Sequence, residues 1–521
     1  MNMNRREFVK GGLAALGFMA LPGGLWAAPA GWKPKKKPNL VFGVLSDTHM
    51  RTHYDGVSFY EHYEIRMDDT PLKTALEYFK RAKVDAVVHC GDLTDRGIIR
   101  TMELYKAAWD EVFTENPKPV HLYATGNHDV DGGDYGWPKA ITRSEDPAVY
   151  RKICLEPNLK PAMERIWGEP YDDIWHKVVK GYHFFGFGWG NNPDDWTQIY
   201  RGRLYHDYSV EGKGCSPFVH KGLWMTELVR REREAGRLDP NKPFFLAYHC
   251  MINRYDRREA LINTHLAKAL GLKPGQFCNG LGFFGHGHRS NADWFCFWDN
   301  KACFPSIECG SLALWKGCGG GWTRFAEGYG DGTAQGIDNR PTALLVGVYD
   351  KFVALRSFNV EVKPERKVGK VIPDLVLPLE GFVPDRHPAL LENLAKTMGA
   401  PEFADGAELK VTCDRTDVKV EIPRAASGKK GRRAYGYNVA VVGAEGATVW
   451  KNAFAKGYSY GESFPPDGGV TTVTIPKSDL PPGKVLTFSV LPSSEFGERG
   501  KPIKKTMKRG RQAVLAQKEK Q

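Results

Sequence analysis

Five short polar segments of this chain combine carboxylates, an amide and imidazoles at spacings that suit metal chemistry. Each segment is common by chance, but together they offer donors of three kinds. They are Asp47-Thr48-His49, Gly91-Asp92, Gly126-Asn127-His128-Asp129, His249 and Gly285-His286-Gly287-His288. Carboxylate, amide and imidazole donors suit Mn, Fe or Zn better than Ca or Mg. The set therefore predicts a site for transition-metal ions.

The spacing within these segments indicates how the donors would be used. Residues i and i+2 of an extended segment face the same way, so Asp47 and His49 can reach one ion, and His286 and His288 share this relation. Seven donors around two ions require one shared ligand, and Asp92, directly after a glycine, is the natural bridge. Two ions about 3.5–4 Å apart can activate a water between them and hold both oxygens of an in-line phosphoryl displacement.

Each polar segment follows an apolar run that is typical of a buried strand. These runs lie at 39–47, 84–95, 119–129, 242–250 and 280–288, with a further run at 182–190. Helical spacing of apolar residues predicts helices at 71–83, near 101–114 and at 220–236. The alternation predicts a layered α/β domain over residues 39–360, with its site beyond the carboxyl ends of the strands. Residues 132–180 lack periodicity and are interpreted as a long loop region near the site.

The pattern of apolar and polar residues changes after residue 360. Residues 361–404 are interpreted as a linker with a short helix near 388–398. Short alternating strands separated by Gly, Pro and Asp turns then predict a small all-β sandwich at 405–503. Its last strands resemble a fibronectin type III domain, with Leu486 in place of the usual corner tyrosine. Residues 504–521 form a basic tail.

The ordered motifs D-x-H, GD, GNHD, H and GHxH resemble those of the calcineurin-like metallophosphoesterases. The resemblance covers roughly residues 39–360 and implies a metallophosphoesterase-type β-sandwich flanked by helices. It also implies an enzyme that hydrolyses phosphate esters, phosphodiesters favoured, by attack of a metal-bridging hydroxide on a small phosphorylated substrate. Two divalent or trivalent ions would be the cofactors.

The same resemblance implies a role for each motif residue. The first metal would be held by Asp47, His49, Asp92 and His288, and the second by Asp92, Asn127, His249 and His286. His128 would protonate the leaving group or stabilise the transition state. Asp95 matches an acidic residue that orients this histidine in the protein-phosphatase branch, and Arg96 matches a phosphate-contacting arginine of that branch.

Two differences from the motifs of other branches indicate which branch of the family the chain resembles. Purple acid phosphatases carry a tyrosine three residues after the bridging aspartate, where this chain has Asp95. Protein phosphatases carry GNHE, where this chain has GNHD. The pair GDLTD and GNHD is more similar to the branch with bacterial cyclic-nucleotide and other small phosphodiesterases. Two alternatives stay open: a phosphomonoesterase or nucleotidase with the same site, and a non-catalytic exported surface-binding protein.

The pattern of the first thirty residues predicts a targeting signal. Arg5 and Arg6, followed by Phe8, Lys10 and a moderately apolar run, resemble a twin-arginine export signal with cleavage after Ala30. The alternative is an uncleaved membrane anchor, for which the run is short and rich in glycine. The signal implies the twin-arginine export machinery as a partner, a metal loaded before export, and a periplasmic or secreted protein with no membrane span in its mature form.

Composition and charge are those of a globular protein. The 521 residues are 42% hydrophobic and 12% aromatic, and the formal net charge is +12. The positive excess favours anionic partners, but much of it lies in basic runs at 33–38 and 428–433 and in the tail. Such runs are usually solvated, so nucleic acid is expected only as a substrate. The ten cysteines fit an oxidising compartment, with local bridges among Cys296, Cys303, Cys309 and Cys318 as one possibility.

A few aromatic residues and histidines lie outside the motifs. Trp189 and Trp196 follow a predicted strand and could line a substrate pocket, although most aromatics of the chain are expected in the core. His53, His62, His89 and His183 have no partner at ligand spacing, so the sequence assigns them no role.

Overall fold

The computed structural model divides the chain into two compact units. The described residues are 37–50, 71–95, 97–130, 152, 155, 158–189, 217–239, 241–250, 252, 260–273, 276, 278–288, 297–298, 303–312, 328–330, 334–335, 341–350, 352–360, 368–370, 375–378, 399–427, 432–455, 470–494 and 497–509. The export signal, Arg96, Trp196 and the helix expected near 388–398 lie outside them. No helix among these residues has the length and apolarity to cross a bilayer.

The first unit comprises residues 1–291, 296–315 and 340–384. Its described helices are α1 (Pro71–Ala82), α2 (Ile99–Val112), α3 (Asn127–Val130), α4 (Leu159–Trp167), α5 (Pro217–Glu234) and α6 (Ala260–Ala269). Its strands are β1 (Leu40–Leu45), β2 (Ala86–His89), β3 (Val120–Tyr123), β4 (Ile174–Val179), β5 (Tyr182–Phe187), β6 (Phe244–Ala247), β7 (Gly280–Phe284), β8 (Phe297–Trp298), β9 (Ser306–Glu308), β11 (Thr342–Val348), β12 (Phe352–Val360), β13 (Val368–Lys370) and β14 (Leu375–Pro378).

These strands form two mixed sheets. The first has the order β13-β12-β11-β1-β2-β3, with β14 also on β12, and the second has the order β4-β5-β6-β7-β9-β8. The pairs β1–β2, β2–β3, β5–β6 and β6–β7 are parallel, whereas β1–β11 and β4–β5 are antiparallel. Parallel neighbours end at the same edge of a sheet, so the segments that follow them meet there.

The two sheets pack face to face through an aromatic layer. The ring of Phe42 on β1 lies 5.1, 4.8 and 5.7 Å from those of Phe184, Phe245 and Phe283 on the second sheet. On its other face, β1 packs against α1: a Cβ at Gly43 would lie 2.4 Å from the ring of Phe79. The strand is buried on both sides, which explains its continuous apolar run. Helices α5 and α6 pack on the second sheet.

The fold of the first unit is the mixed α/β arrangement of sheets and helices that the sequence predicts. The expectation of a long loop at 132–180 was wrong in part, because residues 159–167 form α4 and 174–179 form β4. Both elements are short, α4 buries little more than Ala162 and Met163, and β4 is an edge strand. Residues 368–370 and 375–378, expected in the linker, pair with β12.

The second unit comprises residues 292–295, 316–339 and 385–521. Its described strands are β10 (Ala334–Gln335), β15 (Pro401–Phe403), β16 (Lys410–Cys413), β17 (Asp417–Ile422), β18 (Ala425–Ser427), β19 (Arg432–Arg433), β20 (Gly436–Val442), β21 (Thr448–Phe454), β22 (Thr471–Pro476), β23 (Val485–Ser493) and β24 (Ile503–Lys508). Alternate residues of β17 and β22 are buried, as in Val418, Val420, Val473 and Ile475.

The strands of the second unit form three sheets. Their orders are β10-β21-β20-β23-β24, β16-β17-β22 and β15-β18-β19. Strand β24 contains residues 503–508, so part of the predicted basic tail belongs to the five-stranded sheet. The unit's described residues also form two short 3-10 helices, Ala444–Gly446 and Lys477–Asp479, and the resemblance to a fibronectin type III domain stays a prediction.

Candidate metal centre

Every described motif residue follows the carboxyl end of a strand of the first unit. Asp47 and His49 come after β1, Asp92 and Asp95 after β2, and Asn127 and His128 after β3 at the start of α3. His249 follows β6, and His286 and His288 follow β7. The packing of the two sheets brings the segments after the three strands of the first sheet against those after the two strands of the second.

The segments after β1 and β2 run side by side. The backbone N–H groups of Asp47 and His49 donate to the carbonyls of Gly91 and Asp92, both at 2.9 Å. Several ligand candidates have left-handed backbone conformations that non-glycine residues seldom adopt. Their φ values are +50° for Asp47, +43° for His49, +52° for Asp92, +69° for His286 and +50° for His288. Such conformations cost free energy and cluster at functional sites, where the surrounding structure enforces them.

The first group of donors consists of Asp47, His49, Asp92 and His288. Nε2 of His288 lies 3.2 Å from Oδ1 of Asp47 and 2.9 Å from Nε2 of His49. Nε2 of His49 lies 3.6 Å from Oδ2 of Asp92. One donor atom from each of these four residues lies within 4.8 Å of the others, so all four can reach one ion.

The second group consists of Asp92, Asn127, His249 and His286. Oδ1 of Asn127 lies 3.1 Å from both Nε2 of His249 and Nδ1 of His286. These two imidazole nitrogens are 3.3 Å apart. Nε2 of His249 is also 3.1 Å from Oδ2 of Asp92. The second group therefore shares Asp92 with the first.

Oδ2 of Asp92 is the atom that links the two groups. It is buried and has no hydrogen-bond partner among the described residues, and it lies 3.6 Å from Nε2 of His49 and 3.1 Å from Nε2 of His249. A buried carboxylate oxygen without a partner is costly. Metal ions held by the two groups would remove that cost, so the residues present fit a pair of metal ions for which Asp92 belongs to both donor groups.

The tautomer of His249 supports the same conclusion. Its Nδ1 lies 2.8 Å from the carbonyl oxygen of Cys90, which can only accept, so Nδ1 carries the hydrogen. In the neutral ring, Nε2 then directs a lone pair at the oxygens of Asn127 and Asp92. Such a contact requires a proton or a metal ion between the atoms.

The electrostatics of the centre are dominated by its buried carboxylates. Burial disfavours the charged imidazoles, but hydrogen bonds to Asp47 and Asp95 raise the pKa of His49 to about 10. Burial likewise opposes charge on His249, and Asp92 raises its pKa to about 9. The pKa of Asp47 is lowered well below its usual value against the effect of burial, chiefly by His288. The centre therefore attracts positive charge, which metal ions would supply with release of protons.

His128 lies beside the first group. Its Nδ1 is 3.1 Å from the carbonyl oxygen of Asp95, so this nitrogen donates and Nε2 is left for other contacts. The Asp95 carboxylate lies closer to the imidazole of His49 than to that of His128, at 3.2 Å against 3.8 Å. Asp95 thus contacts His128 through its backbone carbonyl and His49 through its carboxylate.

Comparison with known proteins agrees with this geometry. Residues 40–290 match the family described as calcineurin-like phosphoesterase, and the matched segment contains every motif residue discussed above. The chain carries a calcineurin-like phosphoesterase domain. It is therefore a metal-dependent phosphoester hydrolase. No curated protein matches the chain.

Several solved structures are similar to this phosphoesterase at low identity. GAP50, the anchor in the inner membrane complex of Plasmodium, is 12% identical with a TM-score of 0.35, over 67% of this chain and 94% of its own. Purple acid phosphatase PPD1 from yellow lupin seeds is 12% identical with a TM-score of 0.32, over 66% and 55%. Calcineurin-like phosphoesterase YfkN from Bacillus subtilis is 13% identical with a TM-score of 0.25, over 69% and 96%.

The phosphoesterase domain also has buried residues that hold the ligand segments in place and that the sequence analysis did not assign. Gly91 N–H donates to Nδ1 of His89, so Nε2 of His89 donates to the Thr48 hydroxyl at 2.7 Å. His89 thereby joins the segments after β1 and β2. The carboxylate of Asp129 accepts from the N–H groups of Thr94 and Gly126, both at 2.8 Å. Only the position of Asp129 within the GNHD motif could have indicated this role.

Trp189 forms an aromatic wall beside the second group. Its ring is stacked on that of His286 with centroids 5.7 Å apart. The backbone N–H of Trp189 donates to the carbonyl oxygen of Thr125 at 2.9 Å and lies 3.1 Å from the Thr125 hydroxyl. The Thr125 hydroxyl donates to Asp173, which forms a buried ion pair with Lys221. This network holds the backbone of Trp189 beside the centre.

The described cysteines show thiol contacts. Cys90, Cys278, Cys303 and Cys413 are free thiols. The sulfur atoms of Cys90 and Cys309 lie 3.7 Å apart. Cys296 and Cys318, two of the four cysteines considered for local bridges, lie outside the described residues.

Proposed function

We propose that this phosphoesterase hydrolyses phosphodiesters at a dinuclear metal centre. Asp47, His49, Asp92 and His288 would hold the first ion, and Asp92, Asn127, His249 and His286 the second. The observation that carries the proposal is Oδ2 of Asp92, which is buried, has no hydrogen-bond partner among the described residues and lies 3.6 and 3.1 Å from Nε2 of His49 and Nε2 of His249. When bound, the ions would activate a water for attack on phosphorus and neutralise charge on the phosphoryl group.

The residues of the chain would then perform the remaining steps. The amide oxygen of Asn127 faces His249 and His286, and its amide nitrogen would help to neutralise developing charge on a bound phosphoryl group. His128 is held by the Asp95 carbonyl with Nε2 directed elsewhere, so it could donate a proton from Nε2 to the departing alcohol when both ring nitrogens are protonated. Trp189 would cover the side of the centre formed by His286 and limit access of water there.

The preference for diesters is supported by the charge of the centre. Among the described residues, no lysine or arginine lies within ion-pair distance of Asp47 or Asp92, whose ion-pair contacts are with histidines. A phosphodiester carries one negative charge, whereas a monoester carries about −1.5 to −2 at pH 7. As far as the described residues form the centre, its donors suit the smaller charge. The similarity of GDLTD and GNHD to small phosphodiesterases points the same way.

The test combines metal analysis with a substrate panel. The protein is loaded separately with Mn, Fe or Zn and assayed with bis-p-nitrophenyl phosphate, p-nitrophenyl phosphate, cyclic nucleotides and 5′-nucleotides. We expect kcat/KM to be higher for the diesters. A higher value for the monoesters would overturn the diester preference, and no hydrolysis with any metal would favour the surface-binding alternative.

Asp92→Asn tests the shared ligand. Replacing the carboxylate with an amide removes the charge between the two groups, so we expect fewer metal ions per chain by elemental analysis and loss of diester hydrolysis. Asp172→Asn is a matched control, since it is an aspartate of the same unit outside both groups. An Asp92→Asn protein with full metal content would refute the bridging role.

We further propose that the protein is exported through the twin-arginine pathway to the periplasm or beyond. The support is the Arg5-Arg6 pair followed by Phe8, Lys10 and an apolar run. Changing both arginines to lysine should retain the protein in the cytoplasm, as measured by immunoblot of cell fractions. Unchanged distribution in the double variant would contradict this route.

A further inference from the structure

A second cluster of potential metal ligands lies away from the phosphoesterase centre. It consists of His176 on β4, His183 on β5 and Glu232 near the end of α5. Nε2 of His176 lies 2.9 Å from Nδ1 of His183, and Nδ1 of His176 lies 3.8 Å from Oε1 of Glu232. One donor atom from each residue lies within 4.8 Å of the other two.

The strand register explains why the two histidines meet. His176 pairs with Phe185, and His183 pairs with Val178. The histidines are therefore diagonal neighbours on one face of the antiparallel pair. Their rings are nearly parallel, and that of His176 also stacks on Phe185 with centroids 4.5 Å apart. Since these contacts lock the rings, the donor atoms are fixed before any ion binds.

The protonation of the cluster suits a cation. Burial lowers the pKa of His176 and that of His183, so both imidazoles are neutral at neutral pH and each has a lone pair. Hydrogen bonds from Arg237 lower the pKa of Glu232, so its carboxylate is ionised. Two neutral imidazoles and one carboxylate are a donor set that binds Zn²⁺ with water in the fourth position.

The cluster resembles the phosphoesterase centre in its local geometry. There, Nε2 of His49 and Nε2 of His288 are also 2.9 Å apart, and both belong to a group of donors that converge on one point. The cluster is nevertheless distinct. His183 is the second residue of β5, and Trp189 beside the centre comes six residues later, which corresponds to about 20 Å along an extended chain.

We propose that His176, His183 and Glu232 bind a zinc ion that fastens the edge strand β4 and its neighbour β5 to the end of α5. This site is structural and goes beyond the proposed phosphodiesterase function. Strands β4 and β5 are already joined by their hydrogen-bonded ladder, and an ion held by residues from both strands and from α5 would add a tie between this edge of the sheet and the helix. Zinc binding would therefore stabilise the folded first unit by mass action.

Arg237 competes with the ion for Glu232. Its guanidinium donates to both carboxylate oxygens, at 2.7 and 2.6 Å. The side chain is 60% exposed, however, so it can turn into solvent when an ion binds. Removal of this arginine should leave Glu232 available and tighten zinc binding roughly fivefold, which is the scale of an exposed ion pair.

The experiment counts zinc in the full-length protein. Metal-free protein is titrated with ZnCl₂ by calorimetry, and bound zinc is measured by elemental analysis after dialysis. We expect His176→Gln to hold one zinc equivalent fewer than the wild type, with unchanged hydrolysis of bis-p-nitrophenyl phosphate. Lys177→Ala, the neighbouring substitution on β4, should bind as the wild type does. Arg237→Gln should bind the additional equivalent more tightly.

The outcomes separate this site from the phosphoesterase centre. Equal zinc content in the wild type and His176→Gln would overturn the proposal, whatever the total. An unchanged affinity in Arg237→Gln would also contradict it. Failure of the phosphodiesterase proposal would appear in the assays with the panel of phosphate esters. The difference in zinc content between His176→Gln and the wild type does not depend on whether the protein hydrolyses any of them. Should His176→Gln prove unstable, Glu232→Gln repeats the test on another element.

Discussion

Replacement of His128 offers the sharpest test of how the centre works. In His128→Ala the imidazole that contacts the Asp95 carbonyl is lost. The backbone N–H of residue 128, which donates to Oδ1 of Asp92 at 2.8 Å, remains in any variant. The position of Asp92 is thus retained, and we expect the variant to bind both metal ions.

The expected magnitude follows from the role of the imidazole. A positioned general acid contributes about 10²–10⁴ in rate, which corresponds to about 2.7–5.4 kcal/mol in the activation free energy. The side chain is 16% exposed, so water can fill part of the space. The cost to the free energy of unfolding should therefore stay near about 1 kcal/mol. The increase in the activation free energy should therefore be much larger than the decrease in the free energy of unfolding.

The assay compares two leaving groups. If His128 donates a proton from Nε2, hydrolysis of a diester with an alkyl leaving group should fall by roughly 10³-fold. Hydrolysis of bis-p-nitrophenyl phosphate, whose leaving group departs without a proton, should fall by roughly tenfold or less. His128→Asn is the matched control, since its amide can keep the contact to the Asp95 carbonyl without serving as an acid.

Three results would decide against parts of this reasoning. Equal losses with both leaving groups would show that His128 stabilises charge and does not deliver a proton. Unchanged turnover with both would remove His128 from the reaction. Loss of metal from His128→Ala would refute the inference that the backbone contact alone preserves the position of Asp92.

Three further predictions concern residues around the centre. Burial lowers the pKa of His89 to about 3. The unfolded chain therefore binds more protons than the folded chain below about pH 6.5. The contribution of neutral His89 to the free energy of unfolding is fully present above that pH and is lost as the pH falls toward 3. Between pH 7 and 4, the free energy of unfolding measured by denaturant titration should decline less steeply in His89→Gln than in the wild type. Lys221→Met leaves the Asp173 carboxylate buried without its partner and should lower the free energy of unfolding by about 3–5 kcal/mol, whereas a loss under 1 kcal/mol by urea denaturation would contradict a buried ion pair. Arg96→Ala should raise KM for diesters if this residue contacts the phosphate, and steady-state kinetics with unchanged KM would assign it to the surface.

Much of the fold could be predicted because local patterns reflect burial. The continuous apolar run of β1 follows from burial on both faces, and the spacing of Leu72, Ala75, Leu76 and Phe79 follows from the buried side of α1. The same patterns failed for α4 and β4. Few residues of α4 are fully buried, and β4 is a short edge strand whose apolar residues do not alternate strictly with polar ones.

The sequence by itself determined the donor types, their order and their positions after strand ends. These are local properties, since i and i+2 spacing and an apolar run require no knowledge of distant residues. Only the tertiary structure decided how the donors are grouped. His286 N–H donates to the Asp47 carboxylate across 239 residues, and Oδ2 of Asp92 lies between two histidines from different sheets. The roles of His89 and the cluster of His176, His183 and Glu232 also came from the structure alone, because sheet packing and strand register bring together residues that no sequence spacing relates.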